Sequence, residues 1–397
     1  MQEIVFVDGV RTPFGRAGEK GMYWQTRADD LIVKAIVGLL ERNPDVPLAR
    51  IDEVAIAATT QQGDQGLTLG RTAALLAGLP KTVPGFAIDR MCAGAMTSVT
   101  ALAGGIAFGA YDLALAGGVE HMGRHPMGFD VDPNPRFQTE KLVGGEALNM
   151  GATAERIHDR FPALTKERCD LFALGSQQKA AAAYANGKIQ PDLISVVTRS
   201  EIGWGLANRD EALRPETTMA GLAELRTPFR PHGRVTAGNS SGLNDGATVS
   251  LLASGASAKQ LGLSAKMRLV SFAFAGVEPE IMGIGPVPST EKALKKAGLS
   301  IEQIGLFELN EAFAVQVLAL LDHFGIDDAD PRVNQWGGAI AMGHPLASSG
   351  VRLMIQLAAQ FAERPDVRYG LTAMCVGLGQ GGSVIWENPQ FDGRSKK

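Results

Sequence analysis

The chain reads as an α/β fold built from two similar halves. Helical periodicity alternates with short buried strands from the start to about residue 120, the pattern of α/β layering. The same order of elements returns in the last third of the chain, which marks an internal duplication rather than a many-fold solenoid. Between roughly residues 120 and 245 the alternation is lost, which marks an inserted segment.

The elements follow in order. "MQEIVFVDGVRTPFGR" opens with a short apolar strand that carries Glu3 and Asp8, without the basic start and long apolar region of a signal peptide. "LIVKAIVGLLERN" has the 3.6-residue period of a helix, "IDEVAIAA" is a strand, and "GRTAALLAGLP" is a helix closed by glycine and proline. "VPGFAIDRM" is extended, "CAGAMTSVTALAGGIAFGAY" is a helix rich in small residues, and "DLALAGGVE" is a buried strand. The inserted segment has loops such as "GRHPMGFDVDPNPRF" and "LANRDEALRPETTM" beside the helical "KERCDLFALGSQQKAAAAYANG", so it is expected to be an ordered lid or binding loop. "STEKALKKAGLSIEQIGLFELN" then mirrors the helix and strand around "IDEVAIAA", placing Ile301 where Ile51 stands in the first half, 250 residues earlier. "SSGVRLMIQLAAQFAERPDVRYGLTAMCVG" mirrors the helix around Ala101 and the strand after it. Two packed halves imply a site between them.

Composition narrows the function. The 397 residues are 45% hydrophobic and 20% charged, which suits a folded protein of two or three domains and excludes a disordered or collagen-like chain. A net charge of −4 and the absence of Lys/Arg clusters interleaved with aromatics argue against nucleic acid as a partner. No stretch reaches the roughly 18 uninterrupted apolar residues of a membrane span, and a cytoplasmic location is expected. Three cysteines, Cys92, Cys169 and Cys375, are an odd number without C-x-x-C, so free thiols are expected rather than disulfides or structural zinc. His121 and His125 are four apart, yet Pro126 follows at once and no H-E-x-x-H pattern surrounds them, so no metal is expected. The 48 glycines exceed the usual share of about 7% and cluster at strand ends, where tight turns and close backbone approach form sites.

The chemistry gathers at three such places. Cys92 in "IDRMCAGAM" follows an extended segment and starts a helix, where the dipole favours a thiolate. That effect, about 0.3 to 1 kcal/mol and at most about 2, shifts a pKa by about one unit at about 1.36 kcal/mol each, so a base is still required. His344, between Gly343 and Pro345 in "GGAIAMGHPLASSG", stands at the mirrored helix entrance, where a pseudo-twofold arrangement brings an imidazole to the same cleft. Asn310 in "FELNEAF" is a neutral amide at a strand end that can order a water or donate to an oxyanion. Gly377, Gly379 and Gly382 in "GLTAMCVGLGQGGSVIWE" have the G-x-G-x-x-G spacing, but a strand rather than a helix follows, so a dinucleotide loop is excluded. Taken singly, Cys92 and Cys375 also fit inert core thiols, and His344 fits a structural role.

Together the motifs resemble the thiolase family along essentially the whole chain: "RTPFGR", "DRMCAGAM", "GGVEHMGRHPM", "MGATAE", "RPETT", "VTAGNSSGLNDGA", "MGIGPVPST", "ELNEAFA", "GGAIAMGHP" and "MCVGLGQG". "GGVEHMG" and "GLGQG" are most similar to the degradative 3-ketoacyl-CoA branch, as in the beta subunit of bacterial fatty-acid oxidation complexes. The resemblance implies two βαβαβαββ halves in αβαβα layers: residues 1–119 with 246–265, then a CoA-binding loop domain at 120–245, then 266–397. It also implies a catalytic set in which Cys92 is the acylated nucleophile, His344 its base and Cys375 the acid/base at the acetyl carbon. His344 with a water on Asn310, and the Cys92 and Gly377 amides, correspond to two oxyanion sites. Arg214, Ser241, Met150 and Ala312 map to the coenzyme A path, with coenzyme A a co-substrate and no tightly bound cofactor. A homodimer or higher oligomer is implied, with a hydratase/dehydrogenase alpha subunit as a further partner.

Three positions depart from the family: Trp336 in "NQWGGAIA", Ala347 where a glycine is usual, and Asn149 where some biosynthetic relatives have histidine. Trp336 is expected to pack under its loop rather than narrow the acyl pocket. Three other readings stay open at this stage: a biosynthetic acetoacetyl-CoA thiolase, a ketosynthase-like enzyme, which would not be expected to carry the cysteine of "MCVG", and a non-catalytic acyl-CoA or lipid carrier.

Overall fold

The computed structural model describes residues 2–128, 131–200 and 203–393; Phe129 and Asp130 of the long loop noted above lie outside them. The first part contains β1 (Ile4–Arg11), the short β2 (Gly15–Arg16), α1 (Ala28–Arg42), β3 (Glu53–Ala57), α2 (Leu69–Leu76), β4 (Gly85–Ile88), α3 (Gly94–Phe108) and β5 (Leu113–His121). Between β5 and the next long strand come α4 (Arg136–Thr139), α5 (Met150–Arg160), α6 (Lys166–Ala185), the β6 (Val196–Ser200) and β7 (Gly203–Ala207) hairpin, and α7 (Met219–Ala223). The remainder is β8 (Asn244–Ser254), α8 (Gly255–Gln260), β9 (Met267–Gly276), α9 (Pro286–Ala297), β10 (Ile304–Leu309), α10 (Ala314–Phe324), α11 (Ala339–Met342), α12 (Ser349–Glu363), β11 (Tyr369–Val376) and β12 (Gln380–Glu387).

Local chemistry accounts for these elements. In α1, Leu31, Ile32, Ala35, Ile36 and Leu39 make one buried stripe, with Asp29 and Asp30 in the first turn and Arg42 in the last, each favourable to the helix dipole. Helix α9 starts on Pro286 and ends at Gly298 with φ +66°, a left-handed cap that suits glycine.

The strands run in the order β10-β11-β12-β9-β1-β8-β5-β3-β4, with β2 beside β8. Strand β8 is antiparallel to β1 and β5, and β3 is parallel to β5. Strand β12 is likewise antiparallel to β9 and β11, and β10 is parallel to β11. The duplication expected from "IDEVAIAA" and "IGLFELN" is therefore present in the pairing pattern. Among the described residues, the pairs Val5↔Arg268 and Phe6↔Met267 join the two groups of strands.

Side-chain alternation sorts the core into three interfaces. Val54, Ile56 and Leu115 face α1 and α2, with Leu31 and Ala73 against them. Leu371, Ala373 and Cys375 face the opposite outer layer with Leu318 and Leu321 of α10. Their alternate neighbours, Ala55, Ala116, Met374 and Val376, turn inward onto α3 and α12, which supply Met96, Val99, Val351 and Ile355. The result is helix, sheet, helix, sheet, helix. The segment Met91–Phe108 is long and apolar enough to cross a membrane, yet 67% of it is buried as part of this central layer.

The inserted segment is anchored to β1. Arg11 Nη1 and Nη2 donate to Asp210 Oδ1 and Oδ2 at 2.7 and 2.8 Å, and Tyr184 OH donates to the same carboxylate at 2.7 Å.

Candidate active site

Cys92 sits in a tight turn between β4 and α3. Asp89 Oδ1 accepts from the Met91 amide at 2.6 Å, and Met91 takes φ +43°, a left-handed backbone uncommon for a side chain of this size. The Cys92 sulfur then emerges where the helix begins, 8% exposed. The glycine cluster after Cys375 is a hairpin turn: Val376 pairs with Gln380, and Leu378 and Gly379 have φ of +58° and +73°. Its Gly377 amide donates to the Cys92 sulfur. A Cβ at Gly377 would lie 2.5 Å from Met91 Sδ, so the bare backbone is what permits this approach.

His344 comes from the second half. Gly343, at φ +106°, turns the chain, and the His344 amide donates to Asn244 Oδ1 at 2.9 Å. Its Nδ1 lies 2.6 Å from Ser349 Oγ at the start of α12. Asn310 Nδ2 stands 3.4 Å from Nδ1 and 3.3 Å from Nε2, a near-equal spacing that sets the amide against the ring. Asn310 Oδ1 accepts from Arg352 Nη2 at 3.1 Å.

Cys92, His344 and Cys375 border one cavity of about 70 Å³, together with Met150, Ser241 and Ala312. A larger cleft of about 680 Å³, lined by Arg214 and Thr217, shares the walls Gly242 and Leu243 with it. The small chamber holds the two thiols and the imidazole, and the large cleft adjoins it. Of the residues mapped to the coenzyme A path, Arg214 belongs to the outer cleft, whereas Met150, Ser241 and Ala312 line the inner chamber. Ser241 is further tied down, its amide and hydroxyl both donating to the Ala312 carbonyl, at 2.9 and 3.3 Å.

Burial sets the protonation states, and here the structure corrects the sequence reading. The helix start was expected to lower the Cys92 pKa, but desolvation pushes the thiol up to about 12, only partly opposed by the Gly377 amide, and Glu120 pushes it further. Burial, helped by the Arg352 charge, holds His344 down at about 3. Cys375 is raised by burial and by its neighbour Cys92. At neutral pH the site therefore contains two thiols and a neutral imidazole. A neutral imidazole is competent to accept a proton, and the thiolate forms as the sulfur attacks rather than beforehand.

Other parts of this site were not singled out from the sequence. Met122, Met127 and Met282 join Met150 in the chamber wall, making it flexible and polarisable. Glu120, fully buried at the end of β5, accepts from the Thr59 amide at 3.1 Å, Gln65 Nε2 at 3.0 Å and the Ala347 amide at 3.2 Å. It thereby ties the turn after His344 to the first half. Its signal was its place inside "GGVEHMG", beside glycines that leave no other side chain to hold that turn.

The departures resolve into packing. Trp336 lies in a cluster with Ala180, Tyr184 and Leu213, away from the chamber. Ala347 Cβ packs against Gly94, and Asn149 caps α5 by accepting from the Ala152 amide at 3.1 Å. His121 Nε2 meets the Tyr23 carbonyl at 2.9 Å, and His125 pairs with Asp64. Among the described residues no group of three or more His, Cys, Asp or Glu side chains forms a metal cluster.

Comparison with known proteins identifies the family. Residues 4–256 match the thiolase N-terminal domain family and residues 263–388 the thiolase C-terminal domain family. The chain is 43% identical over 393 residues to a 3-ketoacyl-CoA thiolase of Pseudoalteromonas translucida, covering 98% of this chain and 100% of that one. It is 43% identical over 390 residues to the 3-ketoacyl-CoA thiolase of Photobacterium profundum, with the same coverage. The crystal structure of human mitochondrial 3-ketoacyl-CoA thiolase superposes with a TM-score of 0.88 at 32% identity, covering 98% of this chain and 99% of that one. With both domain families matched in order and full-length relatives at this identity, the chain belongs to the thiolase family.

Proposed function

We propose that the protein is a 3-ketoacyl-CoA thiolase, an acyltransferase that uses coenzyme A to cleave 3-ketoacyl-CoA into acetyl-CoA and an acyl-CoA two carbons shorter. The observation that carries this reading is the shared chamber of Cys92, His344 and Cys375, beside the cleft with Arg214 and sharing Gly242 and Leu243 with it. Full-length relatives named 3-ketoacyl-CoA thiolase support it.

The steps follow from the protonation states. Cys92 Sγ attacks the 3-keto carbon as its proton passes to His344, and the new oxyanion is met by donors aimed at that position. The intermediate collapses, the bond between C2 and C3 breaks, and the acyl group stays on Cys92. The departing acetyl-CoA enolate takes the Cys375 proton. The Cys375 thiolate then removes the proton of an incoming coenzyme A thiol, whose sulfur attacks the acyl-Cys92 carbonyl. Cys92 leaves and recovers its proton from His344. Asn310 beside His344, and the Gly377 amide at the Cys92 sulfur, serve the two oxyanion sites in this scheme. The four chamber methionines suit acyl chains of differing length, because each repacks without a fixed shape. Assembly as a homodimer, and docking on a hydratase/dehydrogenase alpha subunit, belong to the same proposal.

The test is steady-state thiolysis across 3-ketoacyl-CoA substrates, from acetoacetyl-CoA to long chains, with Cys92→Ala as control. Turnover on medium and long chains that vanishes in Cys92→Ala is the expected result. Activity confined to acetoacetyl-CoA indicates the biosynthetic reaction instead, and acyl-CoA binding without turnover indicates a carrier.

A further inference from the structure

Arg352 lies in the first turn of α12, three residues after Ser349 and so on the same face of the helix. Ser349 Oγ meets His344 Nδ1, and Arg352 Nη2 donates to Asn310 Oδ1 at 3.1 Å. One helical turn thus holds both members of the His344 and Asn310 pair from behind. The guanidinium is 0% exposed.

Its bonding is unlike that of Arg11, also buried. Arg11 forms a two-pronged bond to Asp210 at 2.7 and 2.8 Å, the geometry by which a buried ion pair compensates desolvation. Arg352 reaches its nearest carboxylate, Glu308 Oε2, only at 3.5 Å, and that group's other oxygen accepts from Gln360 Nε2 at 2.6 Å. The close contacts of Arg352 are neutral amide oxygens, Gln356 Oε1 at 2.6 Å and Asn310 Oδ1, and its Nε has no partner among the described residues. A buried cation with a loose counterion and an unused donor is poorly arranged for stability. It is well arranged to orient an amide. An asparagine side chain has nearly the same shape after a half-turn, which exchanges its oxygen and nitrogen. With Arg352 in place, the turned form would set Nδ2 against the guanidinium donors and Oδ1 against His344.

We infer that Arg352 is a positioning residue for thiolysis, locking the Asn310 amide so that its NH₂ group and not its oxygen is presented at His344, where negative charge develops on the substrate. The inference rests on the thiolase reading above. Arg352 itself touches no substrate and acts through Asn310.

A double-mutant cycle on kcat tests it, using the full-length protein and Arg352→Met, Arg352→Lys, Asn310→Ala and the two pairs. Arg352→Met is expected to lower kcat by about tenfold to a hundredfold, up to the loss of one oxyanion donor, with KM for coenzyme A changed less than about twofold. In the Asn310→Ala background the same substitution is expected to cost less than about threefold, because the group it orients is gone. Arg352→Lys, which keeps the charge and a donor, is expected to recover part of the rate. Equal losses in both backgrounds, or a folded Arg352→Met protein with native kcat, overturn the inference. Should Arg352→Met fail to fold, the cycle is run with Arg352→Lys, and the same comparison of backgrounds decides. Glu308→Gln, which removes the loose carboxylate without touching Asn310, is expected to keep kcat within about threefold, and a loss as large as that of Arg352→Met also overturns it. If the native protein lacks thiolysis altogether, it is the proposed function that fails, before the cycle begins.

Discussion

Replacing Asp210 by asparagine isolates how the inserted segment is held on the scaffold. Asp210 Oδ1 accepts from Arg11 Nη1 and from the Phe14 amide, each at 2.7 Å, while Oδ2 accepts from Arg11 Nη2 at 2.8 Å and Tyr184 OH at 2.7 Å. Both side chains are out of solvent, 2% and 0% exposed. In Asp210→Asn one oxygen becomes a donor facing other donors, and the Arg11 charge loses its buried counterion. Breaking one side of such a pair costs about 3 to 5 kcal/mol, which urea unfolding resolves as a lower midpoint at unchanged slope. The double variant Arg11→Met with Asp210→Leu recovers part of that loss, because no charge is left unpaired. The functional effect has its own direction. Asp210 leads into Glu211, Arg214 and Thr217 of the outer cleft, whereas Cys92, His344 and Cys375 stand on other elements. KM for coenzyme A therefore rises several-fold while kcat at saturation is retained. A loss of stability below about 1 kcal/mol, or a fall in kcat with native KM, refutes the reasoning.

Two further outcomes follow from particular contacts. Asp245 accepts from the Gly123 amide at 2.9 Å, and its other oxygen lies 3.3 Å from His121 Nδ1, which already accepts from the Arg124 amide. Burial pushes this carboxyl up to about 7, so the native state keeps its proton where the unfolded chain, with a pKa near 3.9, has released it. Wild-type stability therefore falls with rising pH across that window, and the stability of Asp245→Asn relative to wild type rises by up to about 1.4 kcal/mol per pH unit before levelling off near 7. Thermal unfolding from pH 4 to 8 measures this, and a pH-independent difference contradicts it. Gly377→Ala places a methyl 2.5 Å from Met91 Sδ, a flexible neighbour, so unfolding changes by only about 1 kcal/mol. The amide at Cys92 is displaced, and kcat falls at least about tenfold; native kcat in this variant contradicts the role given to that amide.

Much of the scaffold was legible because the duplication repeats the hydrophobic period as well as the residues. "IDEVAIAA" and "IGLFELN" announce the same strand in two places, and each lies parallel to a neighbour in the sheet. Cys92, His344 and Cys375 were legible because glycines surround reactive side chains where turns end strands. What escaped was the contribution of long-range burial. A helix start is a local signal and predicts a lowered thiol pKa, but desolvation of Cys92 depends on β5, the Gly377 hairpin and the His344 turn, which arrive from distant parts of the chain. Arg352 escaped for a related reason: on an apolar helix an arginine suggests a solvated edge, and only packing reveals it is wholly inside. Met122 and Met282 look like ordinary core residues until the chamber they line is visible.

The meeting of the two halves has a steric cause that also explains why Cys92 and His344 converge. Helices α3 and α12 carry the Cys92 and His344 turns at their starts, and they approach at glycines on both sides. A Cβ at Gly350 would lie 2.6 Å from the Met96 amide nitrogen, and one at Gly94 would lie 2.7 Å from Ala57 Cβ and 3.0 Å from Ala347 Cβ. Contacts that close require bare backbone or a methyl at each crossing point, which is why "CAGAM" and "LASSG" are small-residue runs. The small residues in these helices are thus the means by which two chain segments about 250 residues apart bring a thiol and an imidazole to one chamber. Stability alone would favour larger side chains in a central layer. The same crossing leaves Cys92 and His344 desolvated around one chamber, and that burial keeps both neutral at neutral pH.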